Sequence, residues 1–561
     1  MVTLVDLVRE RAATHGNRVS HRYLRDGQEI SAELNYGELD RRARAAAVAL
    51  RRDAAAGDRI LLLHPPGLEF LVAFCGCLYA GTIPVPAYPP RPQQTDDRIS
   101  AIAADCGAAL ALTTADAVGR LADLGVPVAT LDEVPPDAAD LWRAGPQTPS
   151  TVAHLQYTSG STSVPKGVAV THANLLHNLE DLHRGWEHDE SSTIVSWLPF
   201  FHDMGLVYGL LTPIYAGVPC VLMPPVVFIQ RPVRWLQAIT RFRGTHAAAP
   251  NFAYDHCVRR VKPEDRAALD LSSWQVAVNG AEPVRPDTIE RFTSTFGPCG
   301  FRRSTFAPGY GLAEATLKVT AARRGEGPTI AAFSAPALEQ RRVAAATPGS
   351  AEARPLVGCG APILETRVAI VDPATRERSA PDAIGEIWVG GPSVAAGYWG
   401  ADEASAGTFR ARTADGDGPF LRTGDLGFMS GGQLFVAGRI KDMIIIRGQN
   451  HYPHDIELTV ERSGALVRAS GGAAFAIDRD GEEQLVIVQE VERGLKPPDR
   501  AAQIAIIREA IAREHDLHAS DVLLLRPGAV PKTTSGKIQR AACRAAYLDG
   551  MLAALAPEID A

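Results

Sequence analysis

The 561-residue chain is short of several things, and each shortage removes a class of protein. Cysteine is sparse: 8 residues, scattered, with no CxxC pair. That leaves buried free thiols in place of a disulfide framework, and predicts a reducing compartment, the cytoplasm. Excess positive charge is missing too. The formal net charge is −7, so there is no global footprint for nucleic acid. No apolar run is long enough to span a bilayer unbroken. The most apolar stretch, 209–229, is interrupted by Pro213, Pro219, Pro224 and Pro225, and reads as buried strands and turns. The N-terminal MVTLVDLVRERAATHG is charged and amphipathic and lacks the apolar core of a signal peptide. Internal repeats are absent, as is the phosphate loop GxxxxGK[ST].

What is present is an ordinary globular balance, 46% hydrophobic and 22% charged, in a chain too long for one core. Residues 1–55 read as helical. FLVAFCGCLYAG (70–81) reads as a helix stopped by Gly81, and TIPVPAYPPRP (82–92) as extended. Strand-like and helical segments then alternate, which predicts layered α/β architecture with largely parallel sheets. From about 356 to 435 short strands with Gly, Pro and Asp turns predict a β-rich subdomain. A domain boundary is expected at 437/438, giving a large domain over 1–437 and a small α+β domain over 438–561. Residues 325–354 are rich in Ala, Pro and Gly and read as an insertion.

One run concentrates chemistry. Tyr157–Val168 reads YTSGSTSVPKGV, packing Thr158, Ser159, Gly160, Ser161, Thr162 and Ser163 ahead of Lys166. Small residues let backbone N–H groups converge on an anion, the hydroxyls add donors, and the lysine adds mobile positive charge. The flanks read as strand before and turn into helix after, a setting for a polyphosphate loop. The other reading of such a run alone is a solvated linker.

Seven separated motifs share an order: YTSGSTSVPKGV, NGAEPV (279–284), GYGLAEAT (309–316), GEIWVGGPSVAAGYW (385–399), FLRTGDLG (420–427), GRIKDMIIIRG (438–448) and PKTTSGKIQR (531–540). Together they resemble the adenylate-forming superfamily of acyl- and aryl-CoA ligases, luciferases and peptide-synthetase adenylation domains. The likeness covers nearly the whole chain. Ser163 departs from it, standing where the family usually has Gly. Four further stretches are most similar to fatty acyl-AMP ligases: 77–92, 197–217, 249–257 and 447–457.

The resemblance implies two half-reactions. A fatty carboxylate attacks the α-phosphorus of ATP to give acyl-AMP and pyrophosphate, and a thiol then takes the acyl group. It assigns Thr158, Ser159, Gly160, Ser161, Thr162 and Lys166 to the phosphates. Glu314 and Thr158 would hold Mg²⁺. Gly280, Ala281, Tyr310 and Gly311 would form the adenine site, Asp425 would accept from the ribose hydroxyls, and Arg439 would add to ribose or phosphate contact. Lys537 would bring an ammonium to the α-phosphate and substrate carboxylate. His202 is read either as a wall between acyl and nucleotide sites or as a satisfied core histidine. Trp197, Phe201, Phe252 and Tyr254 line an acyl tunnel or pack the core. Lys441 stands at the expected hinge. His451 and His454 read as local structure. The acceptor implied is an acyl carrier protein in trans, because little chain follows PKTTSGKIQR. An acyl-CoA ligase is the alternative. An amino-acid-activating domain, with Asp203 holding the amino group, and a catalytically dead nucleotide-binding module are the remaining readings.

Overall fold

The computed structural model describes residues 2–89, 97–121, 123–157, 165–446, 449–479, 482–492, 497–533 and 537–552. The N-terminal segment read as helical carries a hairpin between two helices. Helices Leu4–His15 and Tyr36–Leu50 flank antiparallel strands Val19–Leu24 and Ile30–Asn35. The turn decides it: Asp26 Oδ1 accepts the N–H groups of Gln28 and Glu29 (2.9 and 3.0 Å), and Gly27 takes φ +79°. Both helices are capped from outside, by Thr3 in a reciprocal box with Asp6 and by Asn35.

That hairpin is one edge of an eight-stranded sheet. Across it, in spatial order, run Cys220–Leu222, Ile194–Ser196, His246–Pro250, Val276–Gly280 and Phe306–Gly311, parallel to Val19–Leu24, with antiparallel Lys318–Ala321 at the far edge. The inner strands are buried on both faces, as parallel strands under helices must be. A second, four-stranded parallel sheet is built from Ile83–Pro86, Arg59–Leu62, Ala108–Thr113 and Val128–Thr130. The β-rich subdomain is an antiparallel sheet of Arg367–Val371, Gly385–Gly390, Leu421–Ser430 and Gln433–Arg439. From Ile444 onward the chain builds apolar clusters of its own around Val467–Arg479, Glu482–Val491 and Ala519–Leu525.

Two further segments differ from their sequence reading. Val152–Tyr157 and Gly167–Thr171 pair antiparallel, so the hydroxyl-rich run links two strands, and the helix His172–Trp186 begins only afterwards, capped by Thr171. The valine-rich GVAVT, wholly buried, favours a strand over a helix start. Within 209–229 the first part is helical: Met204–Leu211 is followed directly by a separate short helix, Thr212–Ala216, with Pro213 in its first turn, where a missing N–H is tolerated. Only Cys220–Leu222 is a strand, followed by the helix Pro225–Gln230. The 325–354 insertion is ordered: Ile330–Ser334 pairs with Ala353–Val357, with helix Ala335–Glu339 between. No helix among the described residues is long and apolar enough to cross a membrane. All eight cysteines are free and buried.

Buried histidines give the fold an acid limit. Burial pushes His21, His172 and His246 down to about 4 and His154 to about 3. These groups are neutral when folded and titrate near 6.5 when unfolded. Their contribution is therefore intact above pH 6.5 and is lost as pH falls from 6.5 towards 4. Each costs about 1.4 kcal/mol per pH unit over that range. Urea melts at pH 7.5 and 5.5 check this: the midpoint falls clearly at 5.5, and equal midpoints contradict it.

Candidate active site

The parallel strands of the large sheet end along one edge, and the loops leaving that edge carry the chemistry-bearing residues, as open α/β sheets arrange their ligand sites. Residues 197–203 follow Ile194–Ser196, 251–252 follow His246–Pro250, 281–282 follow Val276–Gly280, and 312–314 follow Phe306–Gly311. Backbone packing there is close. A Cβ on Gly280 would sit 2.8 Å from Gly309 O, and one on Gly311 would sit 1.9 Å from Leu317 O, so neither position admits a side chain. Ala281 has φ +62°, a left-handed residue held at the strand exit.

Asp425 is the centre of a polar cluster. It lies on Leu421–Ser430 directly opposite Arg439, so register alone sets Arg439 Nε 2.7 Å from its Oδ1. The Tyr310 hydroxyl donates to the other oxygen at 2.7 Å. Asp425 beside it raises the Arg439 pKa, and burial with the same carboxylate raises that of Tyr310. The strand carrying Asp425 has its own support. Glu386 accepts from Arg422 (3.0 and 2.8 Å), from Trp388 Nε1 (2.9 Å) and from Gly424 N (3.1 Å). Glu386 escaped sequence reasoning, although it stands in GEIWVGG.

Glu314, in the short turn Ala313–Ala315, accepts from the Tyr398 hydroxyl at 3.1 Å, and burial raises its pKa. Exposed Lys166 lies over the Tyr398 ring, its Nζ 4.9 Å from the centroid. Tyr398 thus joins the basic end of the hydroxyl-rich run to Glu314. It too was missed; the signal was the GYW closing 385–399. Thr158, Ser159, Gly160, Ser161 and Thr162 lie outside the described residues.

Lys537 comes from the C-terminal part of the chain into this cleft. Burial lowers its pKa; Asp203, Glu282 and Asp425 oppose that, and Arg439 adds to it. His202 Nδ1 lies 2.6 Å from Asp203 Oδ1. Burial works against the Asp203 carboxylate, but His202 and Lys537 together hold its pKa below the ordinary value. Glu282 accepts the Phe252 N–H, and its pKa is raised by burial. Exposed Lys441 occupies the turn Ile440–Asp442.

The four aromatic candidates separate. Trp197 and Phe252 meet edge to face with centroids 6.2 Å apart. Phe201 packs on Tyr88 (5.9 Å), its carbonyl held by Gln156 (2.8 Å). Tyr254 is fully buried among Trp235, Phe292 and Phe306, its hydroxyl bonded to Val278 O at 2.7 Å. His451 and His454 are not merely local. They face the insertion: His451 Nδ1 is 3.7 Å from Glu339 Oε1, and His454 Nε2 is 2.9 Å from Arg354 Nη2.

This geometry has known counterparts. A family model for AMP-binding enzymes matches residues 8–399, and one for the AMP domain of Disco-interacting protein 2-like proteins matches 441–556. The chain belongs to the AMP-binding enzyme family. Within that family it is a fatty acyl-AMP ligase. It is 47% identical to the medium-chain-fatty-acid–[acyl-carrier-protein] ligase JamA of Moorena producens over 98% of this chain and 96% of that one. It is 37% identical to the long-chain-fatty-acid–AMP ligase FadD32 of Mycolicibacterium smegmatis, covering 98% and 95%. The fatty acyl-adenylate ligase of Legionella pneumophila, solved with acyl adenylate and pyrophosphate, superposes with a TM-score of 0.78 at 40% identity over 98% and 96% of the two chains.

Proposed function

We propose that this enzyme activates a fatty acid with ATP and passes the acyl group to the phosphopantetheine thiol of an acyl carrier protein in trans. The carboxylate oxygen bonds to the α-phosphorus, the bond to the β-phosphate oxygen breaks, and pyrophosphate leaves. The carrier's sulfur then bonds to the acyl carbon, AMP departs, and the thiol proton goes to solvent. The observation that carries this reading is Lys537. It reaches from the C-terminal part into the cleft beside Asp203 and Asp425, where an ammonium can neutralise charge developing at the α-phosphate.

A carboxylate is already ionised at neutral pH, so the first half-reaction asks for charge neutralisation and alignment more than for a base. Lys166 would take the terminal phosphates together with the run before it. Tyr310 and the bare backbone at Gly280 and Gly311 would receive the adenine. Asp425 would accept from the ribose hydroxyls, since a carboxylate's lone pairs outnumber its two present partners. Glu314 suits Mg²⁺: a hard cation bound through one or two carboxylates plus substrate phosphates would add charge stabilisation when bound. His202 would stand between acyl and nucleotide sites. We place the domain boundary at 437/438 with Lys441 as the hinge, supported by apolar clusters that begin at Ile444. The eight buried free thiols support a reducing, cytoplasmic setting.

A second reading has one observation in its favour. A relative 38% identical, from Mycobacterium bovis, is named a putative fatty-acid–CoA ligase. Mass spectrometry of products from fatty acids, ATP and Mg²⁺, with holo-carrier or with CoA, separates the two. Acyl-AMP with acyl-carrier and no acyl-CoA supports the carrier reading; abundant acyl-CoA overturns it. Asp425→Ala raises KM for ATP about 10- to 100-fold with a smaller change in kcat, because ribose contacts persist from ground state to transition state. An unchanged KM with a fallen kcat gives Asp425 another role.

A further inference from the structure

One side chain outside the assigned site ties the strand exits of the large sheet to the segment that delivers Lys537. We propose that Arg285 is a positioning residue for adenylation, which through its pair with Glu461 seats Lys537 at the cleft; this rests on the role proposed for Lys537 above.

Arg285 is fixed from the side of the large sheet. It stands just after the exit of Val276–Gly280, at the start of the helix Pro286–Phe296. Its backbone N–H donates to Asn251 Oδ1 at 3.0 Å, and buried Asn251 donates in turn to Thr288 Oγ1 on that helix at 3.0 Å. Asn251 follows the neighbouring strand His246–Pro250, so Arg285 is anchored to two strand exits that border the cleft. Its guanidinium feels the charge of Glu282, the carboxylate that also acts on Lys537.

From there a run of contacts leads to Lys537. Arg285 Nη1 lies 2.6 Å from Glu461 Oε2 on the helix Pro453–Arg462, with only 21% and 12% of the two side chains exposed. The other Glu461 oxygen accepts the Ser470 N–H at 2.7 Å, and the Ser470 carbonyl accepts from Lys532 Nζ at 2.7 Å. Lys532 pairs antiparallel with Ile538. The Thr533 N–H donates to Lys537 O at 2.7 Å, and the Thr533 hydroxyl accepts the Lys537 N–H at 3.0 Å. The backbone of Lys537 is thus held to Thr533, Thr533 follows Lys532, and Lys532 is held through Ser470 to Glu461. Where Glu461 is seated therefore sets where the ammonium arrives. The largely buried Arg285–Glu461 pair suits that task, since removing either partner strands the other charge. The adjacent Arg462–Asp287 pair, 53% and 44% exposed, adds little.

The test measures the two half-reactions separately in Arg285→Ala, Glu461→Gln and the double variant. Each single variant is expected to lower kcat for pyrophosphate release about 10- to 100-fold, the loss that a misplacement of about 1 Å brings, with KM for ATP within about 2-fold of wild type. The double variant is expected to match the slower single variant, because both substitutions remove one contact. Transfer from preformed acyl-AMP to carrier is expected to stay near wild type. Arg285→Lys, which keeps the charge, is expected to recover most of the lost rate. Glu461→Gln keeps an acceptor for the Ser470 N–H and serves if the alanine variant does not fold. Wild-type pyrophosphate release in both single variants, losses that multiply in the double variant, or equal losses in the two half-reactions overturn the assignment. Wild-type release in Lys537→Ala refutes the role of Lys537 instead.

Discussion

Lys537→Ala lowers acyl-adenylate formation about 10²- to 10³-fold while ATP still binds, since removing one preorganised stabiliser of transition-state charge costs that much. The lysine's surroundings show why the loss falls on the chemical step. Its ammonium lies among Asp203, Glu282 and Asp425 with Arg439 close by, so the free enzyme already holds the charge in a partly desolvated place. A positive charge fixed there gains most when negative charge grows at the α-phosphate. Pyrophosphate release is the first readout. Transfer from preformed acyl-AMP to carrier is the second, and it suffers less. Unchanged pyrophosphate release removes Lys537 from the adenylation step.

Deleting 325–354 leaves acyl-AMP formation close to wild type and raises acyl-CoA output about 10- to 100-fold, the population change that a bias of a few kcal/mol allows. Within that segment Phe333 packs on Phe428 (4.9 Å) and Phe435 (5.2 Å) of the antiparallel sheet. The segment also grips the C-terminal part. Arg354 pairs with Asp455 at 2.7 Å and lies over the Tyr452 ring at 4.9 Å, while Asn450 Nδ2 donates to Glu339 O at 3.0 Å. Contacts on both sides hold the orientation in which Lys537 reaches the cleft, and a change of orientation must break them. Arg354→Ala, which keeps the hairpin, gives a smaller rise in acyl-CoA and a faster exchange between orientations, read by fluorescent labels on the two parts. A deletion variant that folds, makes adenylate and yields no acyl-CoA moves the barrier to the CoA site itself.

How much of this was legible in the chain differs from element to element. The helix Leu68–Ala80 with Gly81 at φ +85° follows from an apolar run ended by glycine, a signal local enough to read directly. The N-terminal hairpin was missed because it lies between two well-capped helices, and its strands are only six residues each. In sequence the hydroxyl-rich run reads as leading into a helix, whereas pairing with Val152–Tyr157 makes Gly167–Thr171 a strand. Local propensity gives way there to a partner strand. Asp425 and Arg439 could be chosen singly from their motifs, yet their contact is a matter of strand register fourteen residues on.

The sequence by itself determined the order of the motifs, the layered α/β class and the residue types a phosphate-activating site needs, because those are properties of short stretches. Tertiary structure decided what meets what. It set Glu386 against the strand that carries Asp425, Tyr398 between Lys166 and Glu314, and Tyr254 in the core. It also joined the insertion to the C-terminal part through Arg354 and Asp455, a hundred residues apart in sequence. The physical reason is common to all of these. Such contacts depend on packing between segments distant in the chain, and no local periodicity or motif encodes the distance between two side chains that only folding brings together.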